Sequence, residues 1–300
     1  MDRRTFIKLA ALTGAGCALP TGLNAIAGAA EKAARPDLVV AHGASPGKIV
    51  KAALDAMGGI KEFISRGDIV VIKPNIGWDR TPEQAGNTNP EVVAAVVKLC
   101  FEAGAKKVKV FDRPVNDPRR CYVQSGIMTA AKELGADVDY MDERKFKDID
   151  IKGVALKSWP LYSDVFDADK VISIPIAKHH GLAKLTMSMK NWMGVMGGSR
   201  RQIHQKLDES LVDLSMKIKP TLTILDAVRI LTANGPQGGS LADVKKLDTV
   251  IVGFDPVAID SYGATLFGMK GSDLGYVTIG HKLGLGQMDL NKVRIRKISV

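Results

Sequence analysis

Between Lys170 and Leu207 the chain has no Asp or Glu. With 32 acids in 300 residues, a stretch of that length would carry about four. Cysteine is also scarce: Cys17, Cys100 and Cys121 are the whole set, with no CxxC and no Cys/His cluster. That excludes an encoded structural zinc and an encoded iron–sulfur cluster. There is no Walker loop, and no Gly-rich dinucleotide fingerprint follows a strand. No repeat, low-complexity tract or long linker interrupts the chain. The net charge of +10 invites nucleic acid as a partner. The absence of a recognition motif or an aromatic platform argues against it.

What fills the acid-free stretch is basic. Lys170, Lys178, Lys184, Lys190, Arg200, Arg201 and Lys206 lie in it, with His179, His180 and His204. Their field is not cancelled locally, and such a field concentrates and steers anions. Gly181, Gly194, Gly197 and Gly198 allow close backbone approach to a ligand. The segment reads either as the wall of an anion-binding cleft or as a solvated basic face.

Residues 1–30 read as a targeting segment. Asp2-Arg3-Arg4-Thr5-Phe6-Ile7-Lys8 is a twin-arginine signal, followed by a weakly apolar run ending in Ala25-Ile26-Ala27. Gly14, Gly16, Pro20 and Gly22 break that run, so no permanent membrane span is expected. Cys17 hints at a lipoprotein site, but Gly14 stands where a larger apolar residue is usual. The expected location is the periplasm or cell envelope, with the twin-arginine translocase as a partner during export. Cleavage near Gly28 removes Arg3, Arg4, Lys8 and Asp2, so the charge falls from +10 by two to +8. Cys100 and Cys121 remain and could pair in an oxidising compartment, but Cys100 lies on the apolar stripe of a helix, where a buried, inert thiol is the more common outcome.

The rest of the chain alternates strands and helices. Strands are expected at 38–41, 68–72, 107–111, 137–140, 170–174, 221–225, 250–254 and 293–298. Helices are expected at 46–57, 90–103, 119–134, 181–193, 203–218, 256–267 and 272–283, with an irregular stretch over 141–168. This pattern specifies an α/β fold with a mostly parallel sheet and helices on both faces. One domain over 36–300 is expected, with possible lobes at 36–145 and 165–300. Strand after strand ends in a polar residue: Lys73-Pro74-Asn75, Asp112-Arg113, Lys178-His179-His180, Asp226 and Asp255. Ligands of open α/β sheets bind at such strand ends, which favours the cleft reading.

Three blocks carry a resemblance. Val71-Ile72-Lys73-Pro74-Asn75, the run 172–180 with Met189-Lys190-Asn191-Trp192-Met193-Gly194, and Phe254-Asp255-Pro256 through Asp260 resemble the bacterial and archaeal DUF362 family. Many relatives carry ferredoxin-like iron–sulfur domains; this chain lacks the cysteines for them. The resemblance implies a shared α/β domain and a common site near Lys73, Asn75, Lys178, His180, Lys190 and Asn191. It implies no reaction.

The candidate roles follow from side-chain chemistry. Lys73, Lys178, Lys190 and Arg200 suit a small carboxylate or phosphate, which Asn75 and Asn191 would orient. His180 is the expected proton carrier, titrating near neutrality, and Lys190 its expected catalytic companion. Adjacent residues in a strand point to opposite faces, so His180 in the cleft places His179 elsewhere. Asp226, with Asp255, Asp260 and Asn75, offers an oxygen-rich site for Mg²⁺ or Ca²⁺, although Asp255-Pro256 equally reads as a helix N-cap. Asp112-Arg113 reads as an ion couple. Met187, Met189, Met193 and Met196 suggest copper less than they suggest core packing. Gly194 to Arg201 is a possible phosphate cradle, and Gly235 to Gly239 a flexible loop or lid. Two functions fit: an enzyme acting on a small anion, or a non-catalytic exported binding or accessory protein.

Overall fold

Valine and isoleucine runs flanked by turn residues become the inner strands. The computed structural model describes residues 35–300; the signal and lipoprotein readings over 1–30 lie outside the described residues. The chain opens with β1 (Leu38–His42), α1 (Pro46–Ala56), β2 (Ile69–Pro74), α2 (Pro90–Glu102) and β3 (Lys107–Val110). Asn89 caps α2 by accepting the Glu91 N–H, and proline follows at its first turn, where no donor is lost. The single helix expected over 119–134 is two, α3 (Pro118–Gln124) and α4 (Ile127–Lys132). Gly126, at φ 72°, breaks it in a conformation glycine tolerates best.

After β4 (Asp137–Val138), the stretch expected to be irregular holds a separate antiparallel pair, β5 (Phe146–Asp150) and β6 (Ser158–Tyr162), and the short α5 (Asp164–Asp167). Then come β7 (Lys170–Ile174), β8 (Ile176–His180), β9 (Lys184–Thr186) and α6 (Ser188–Asn191). The helix expected over 181–193 is therefore a strand and one helical turn, continued as 3₁₀ helix to Val195. The remaining elements are α7 (Leu207–Lys217), β10 (Leu222–Leu231), β11 (Val244–Gly253), α8 (Pro256–Thr265), α9 (Gly275–Lys282) and β12 (Ile295–Ser299).

The main sheet has ten strands in the order β12-β1-β11-β10-β7-β2-β3-β4, with β8 against β10 and β9 against β8. Pairing is parallel except at β1–β11, β10–β11 and β8–β9. Segments 36–145 and 165–300 both feed this one sheet, because β7 pairs with β2. Alternate residues of β2 face opposite cores. Val70 and Ile72 pack with Ile49 of α1 and Val92 of α2, whereas Val71 shares a core with Leu211, Val257 and Val277 of α7, α8 and α9. Helices thus cover both faces.

This topology positions the site. From β2 the chain runs outward through β3 to β4, then returns to place β7 on the opposite side of β2. The strand order reverses there, and β2 and β7, paired as far as Pro74 and Ile174, deliver their carboxyl ends to the edge where open α/β sheets bind ligands.

Candidate functional site

A cavity of about 680 Å³ opens at that reversal. Lys73, Asn75, Lys178, His180, Lys190, Asn191 and Arg200 all line it, although they lie far apart in the sequence. Six of the lining residues are cations: Lys73, Arg113, Lys178, Lys190, Arg200 and Arg201. The one carboxylate among the lining residues is Asp112. The acid-free segment is therefore not a solvated basic face, for Lys178 and Lys190 are buried within it.

Lys73 sits at the end of β2, fully buried. Its Nζ donates to Asn191 Oδ1 at 2.7 Å and the Pro74 carbonyl at 2.8 Å, and lies 2.8 Å from Asp112 Oδ1. Asp112 Oδ2 accepts the Ile76 N–H at 2.6 Å. Burial pushes the Lys73 ammonium below its ordinary value, and Asp112 pushes it back. The ion couple expected between Asp112 and Arg113 is instead Asp112 with Lys73. Arg113 donates to the Met196 and Gly198 carbonyls and stacks on Phe146, 5.3 Å from its centroid.

Asn191 stitches this pair to the sheet. Its Nδ2 donates to the Lys73 carbonyl at 3.0 Å and to Ser173 Oγ at 3.1 Å, tying β2 to β7. With both N–H groups given to the Lys73 carbonyl and Ser173, its amide has no donor left for an anion, so Asn191 positions Lys73 rather than orienting an anion. Gly194 lies directly over the pair. A Cβ there would overlap the Asp112 carboxylate and the Lys73 ammonium, so the closing turn admits only glycine.

Lys178 Nζ donates to the Gly86 carbonyl and to Asn75 Oδ1 at 3.2 Å, leaving one N–H. Among the described residues no carboxylate pairs with it, and burial, then the Lys190 and Lys73 charges, hold it well below its ordinary value. Lys190 is also buried, with Met193 Sδ as its one hydrogen-bond partner, at 3.2 Å. Burial first, then the charges of Arg200 and Lys73, push it down to about 7. Asp260 of α8 holds the turn that carries it, accepting the Ser188 and Met189 N–H groups at 2.7 and 3.0 Å. Arg200 donates to the carbonyls of Arg113, Pro114 and Met193 and meets no carboxylate among the described residues.

His180 differs from the near-neutral imidazole expected. Its Nδ1 accepts the Leu182 and Ala183 N–H groups, which leaves the proton on Nε2. Burial, then the Lys190 and Lys178 charges, push it down to about 3. It is a neutral hydrogen-bond donor at physiological pH, whereas the Lys190 amine beside it is the group pushed down to about 7. His179 faces away, as strand alternation requires, and accepts the Gly235 N–H.

Asp226 does not join the cavity. It is fully buried at the middle of β10, where its carboxylate accepts the Asn89 and Val228 N–H groups. Asp255 is the N-cap of α8 and Asp260 braces α6, so the acids of the expected metal site are spent on backbone N–H groups at three places. Among the described residues no cluster of three His, Cys, Asp or Glu side chains is placed to hold a metal. Met187, Met189 and Met196 are fully buried in the core, and Met193 alone of the four lines the cavity. Cys100 and Cys121 are both free and buried.

The profile of DUF362, a domain of unknown function, matches residues 70–265. The chain belongs to the DUF362 family. That span contains every cavity residue named above. A thylakoid-associated protein of Synechocystis sp. is 29% identical over 236 residues, covering 72% of each chain. Among solved structures, a protein from Thermotoga maritima superimposes with a TM-score of 0.45 at 10% identity, over 74% of this chain and 59% of its own. The lactate racemase apoprotein of Thermoanaerobacterium thermosaccharolyticum gives 0.44 at 11% identity, over 72% and 54%. This chain thus spans little more than half the length of those two structures. The DUF362 domain here is an α/β domain with a cation-rich cavity at its strand reversal.

Proposed function

We propose that this DUF362 protein binds a small carboxylated or phosphorylated molecule in the cavity beyond the carboxyl end of β2, lined by Lys73, Asp112, Lys178 and Lys190. One observation carries the reading: buried Lys178 and Lys190 and half-buried Arg200 line one cavity without a carboxylate partner among the described residues. A buried cation without a counter-charge is costly, and a bound anion supplies the charge that the chain withholds. Asn75 lines the cavity with no partner for its Nδ2 among the described residues, and His180 offers Nε2–H. In thermal unfolding, saturating phosphate or pyruvate should raise the midpoint by several degrees, because a ligand at a hundred times its Kd adds about 2.7 kcal/mol. Arg200→Gln should remove most of that rise. An equal rise with a neutral sugar, or an undiminished rise in Arg200→Gln, would contradict the reading.

The second reading is a non-catalytic binding or accessory protein using the same cavity. The internal engagement of His180 Nδ1 and of all three Asn191 contacts favours it over proton-transfer chemistry at those residues. Export by the twin-arginine route to the periplasm or envelope is part of the proposal and rests on Arg3-Arg4 and the run behind them. Arg3→Lys with Arg4→Lys should retain the chain in the cytoplasm on fractionation; unchanged export would refute it.

A further inference from the structure

The lysines of the cavity are not equivalent. Lys73 has three oxygens around its Nζ and Lys178 has two. Lys190 has a thioether sulfur, a weak acceptor that leaves two of its N–H positions uncommitted. It lines the cavity from α6, a turn fixed by the buried Asp260 carboxylate, so the amine is held in place without being capped. Arg200 and Lys73 on neighbouring elements disfavour its charged form, and burial does so more strongly. An amine desolvated among cations presents a lone pair near neutral pH. Thr186 Oγ1, also at the cavity wall and buried, has no hydrogen-bond partner.

We infer that Lys190 is a nucleophilic amine that forms an imine with a small 2-oxo carboxylate. The inference rests on the anion-binding reading and deepens it. Arg200 and Lys178 take the carboxylate, which sets the adjacent carbonyl carbon against Lys190 Nζ. The Nζ lone pair forms the C–N bond while the carbonyl π pair moves onto oxygen. That oxygen accepts a hydrogen bond from His180 Nε2–H, and the Thr186 hydroxyl offers a second polar contact. The nitrogen gives up its protons to the oxygen, the C–O bond breaks and water leaves. Amine plus ketone yields imine plus water, with no change of oxidation state and no co-reactant. A carboxylate next to the carbonyl is what the cations select, and a simple ketone lacks it.

The test is reductive trapping. The purified full chain is incubated with pyruvate and sodium cyanoborohydride, and the intact mass and peptide map are read. The expected result is one reduced pyruvyl adduct, located at Lys190, that rises with pH through about 7 as the amine loses its proton. Acetone should label at least about tenfold less, since it lacks the charge-assisted contacts. Lys190→Arg, which keeps the cation and the fold, should lose the adduct with its circular dichroism unchanged. No adduct, an adduct spread over surface lysines, or an undiminished adduct in Lys190→Arg would overturn the inference. The two readings fail separately. A pyruvate-induced thermal shift without an adduct overturns the imine and leaves anion binding standing; absence of both overturns the two together.

Discussion

Replacing Lys190 with methionine should stabilise the ligand-free protein below about pH 7, and the gain should vanish as the pH approaches 10.5. The folded-state value of Lys190 is lowered from 10.5 to about 7 by burial and by Arg200 and Lys73. The unfolded chain keeps that proton up to the higher value. Between the two, the unfolded state binds more protons, so stability rises with pH; below the lower one, the folded state carries the full cost of a buried charge. Methionine fills similar volume without that cost. Hydrophobic replacement of buried charges has given gains of about 1–4 kcal/mol, which for a domain of this size is several degrees in Tm. The charged and titratable groups facing Lys190 are Lys73, Lys178, His180, Arg113, Arg200, Arg201, His204 and Asp112. All remain in the variant, but Lys178 and His180 are relieved of the Lys190 charge, so the difference curve reports Lys190 together with its coupling to those two. Thermal unfolding of both proteins across that pH range checks it. A loss of stability at every pH would contradict an unpaired buried cation.

Asp112→Asn should have the opposite sign. Asparagine retains an acceptor for the Ile76 N–H but removes the one carboxylate beside the fully buried Lys73. Breaking a buried ion pair at one partner costs about 3–5 kcal/mol, because the other charge stays in the interior. Urea unfolding should show that loss. Lys73→Met combined with Asp112→Asn should recover at least half of it, since the stranded charge is then gone as well. A loss below about 1 kcal/mol for Asp112→Asn, or no recovery in the double variant, would show that Lys73 does not depend on Asp112.

The difference between these two lysines was only partly legible in the sequence. Polar residues at strand ends located the cavity, because a parallel strand of the type Ile69–Pro74 must deliver its next residues to one edge. What each residue does there depends on neighbours that no local pattern names. Asn191 serves Lys73 because β2 and β7 are adjacent in register, with Lys73 opposite Ser173. Asp226 looked like a ligand because it carries charge near a strand end; β10 in fact runs on to Leu231, which leaves that carboxylate at mid-strand. The stretch 181–193 has apolar residues at Leu185, Met189 and Trp192, a helical spacing, yet Leu185 belongs to a strand paired with His179. The polar sequence Lys178-His179-His180 concealed β8, which exists because β10 offers it a parallel edge. The environment of His180 was likewise invisible, since its low titration comes from Lys190 and Lys178 across the cavity as well as from burial.

Proton-linked calorimetry tests the central claim most directly. Phosphate is titrated into the purified protein at about pH 8 in two buffers of different ionisation enthalpy. A cavity whose lysines wait for a negative partner should take up close to one proton or more per anion bound, because the anion restores the charged form of Lys190. Lys190→Met should take up measurably less. Binding with no proton uptake, or no binding heat at all, would mean that the unpaired amines at the β2–β7 reversal are not there to meet an anion.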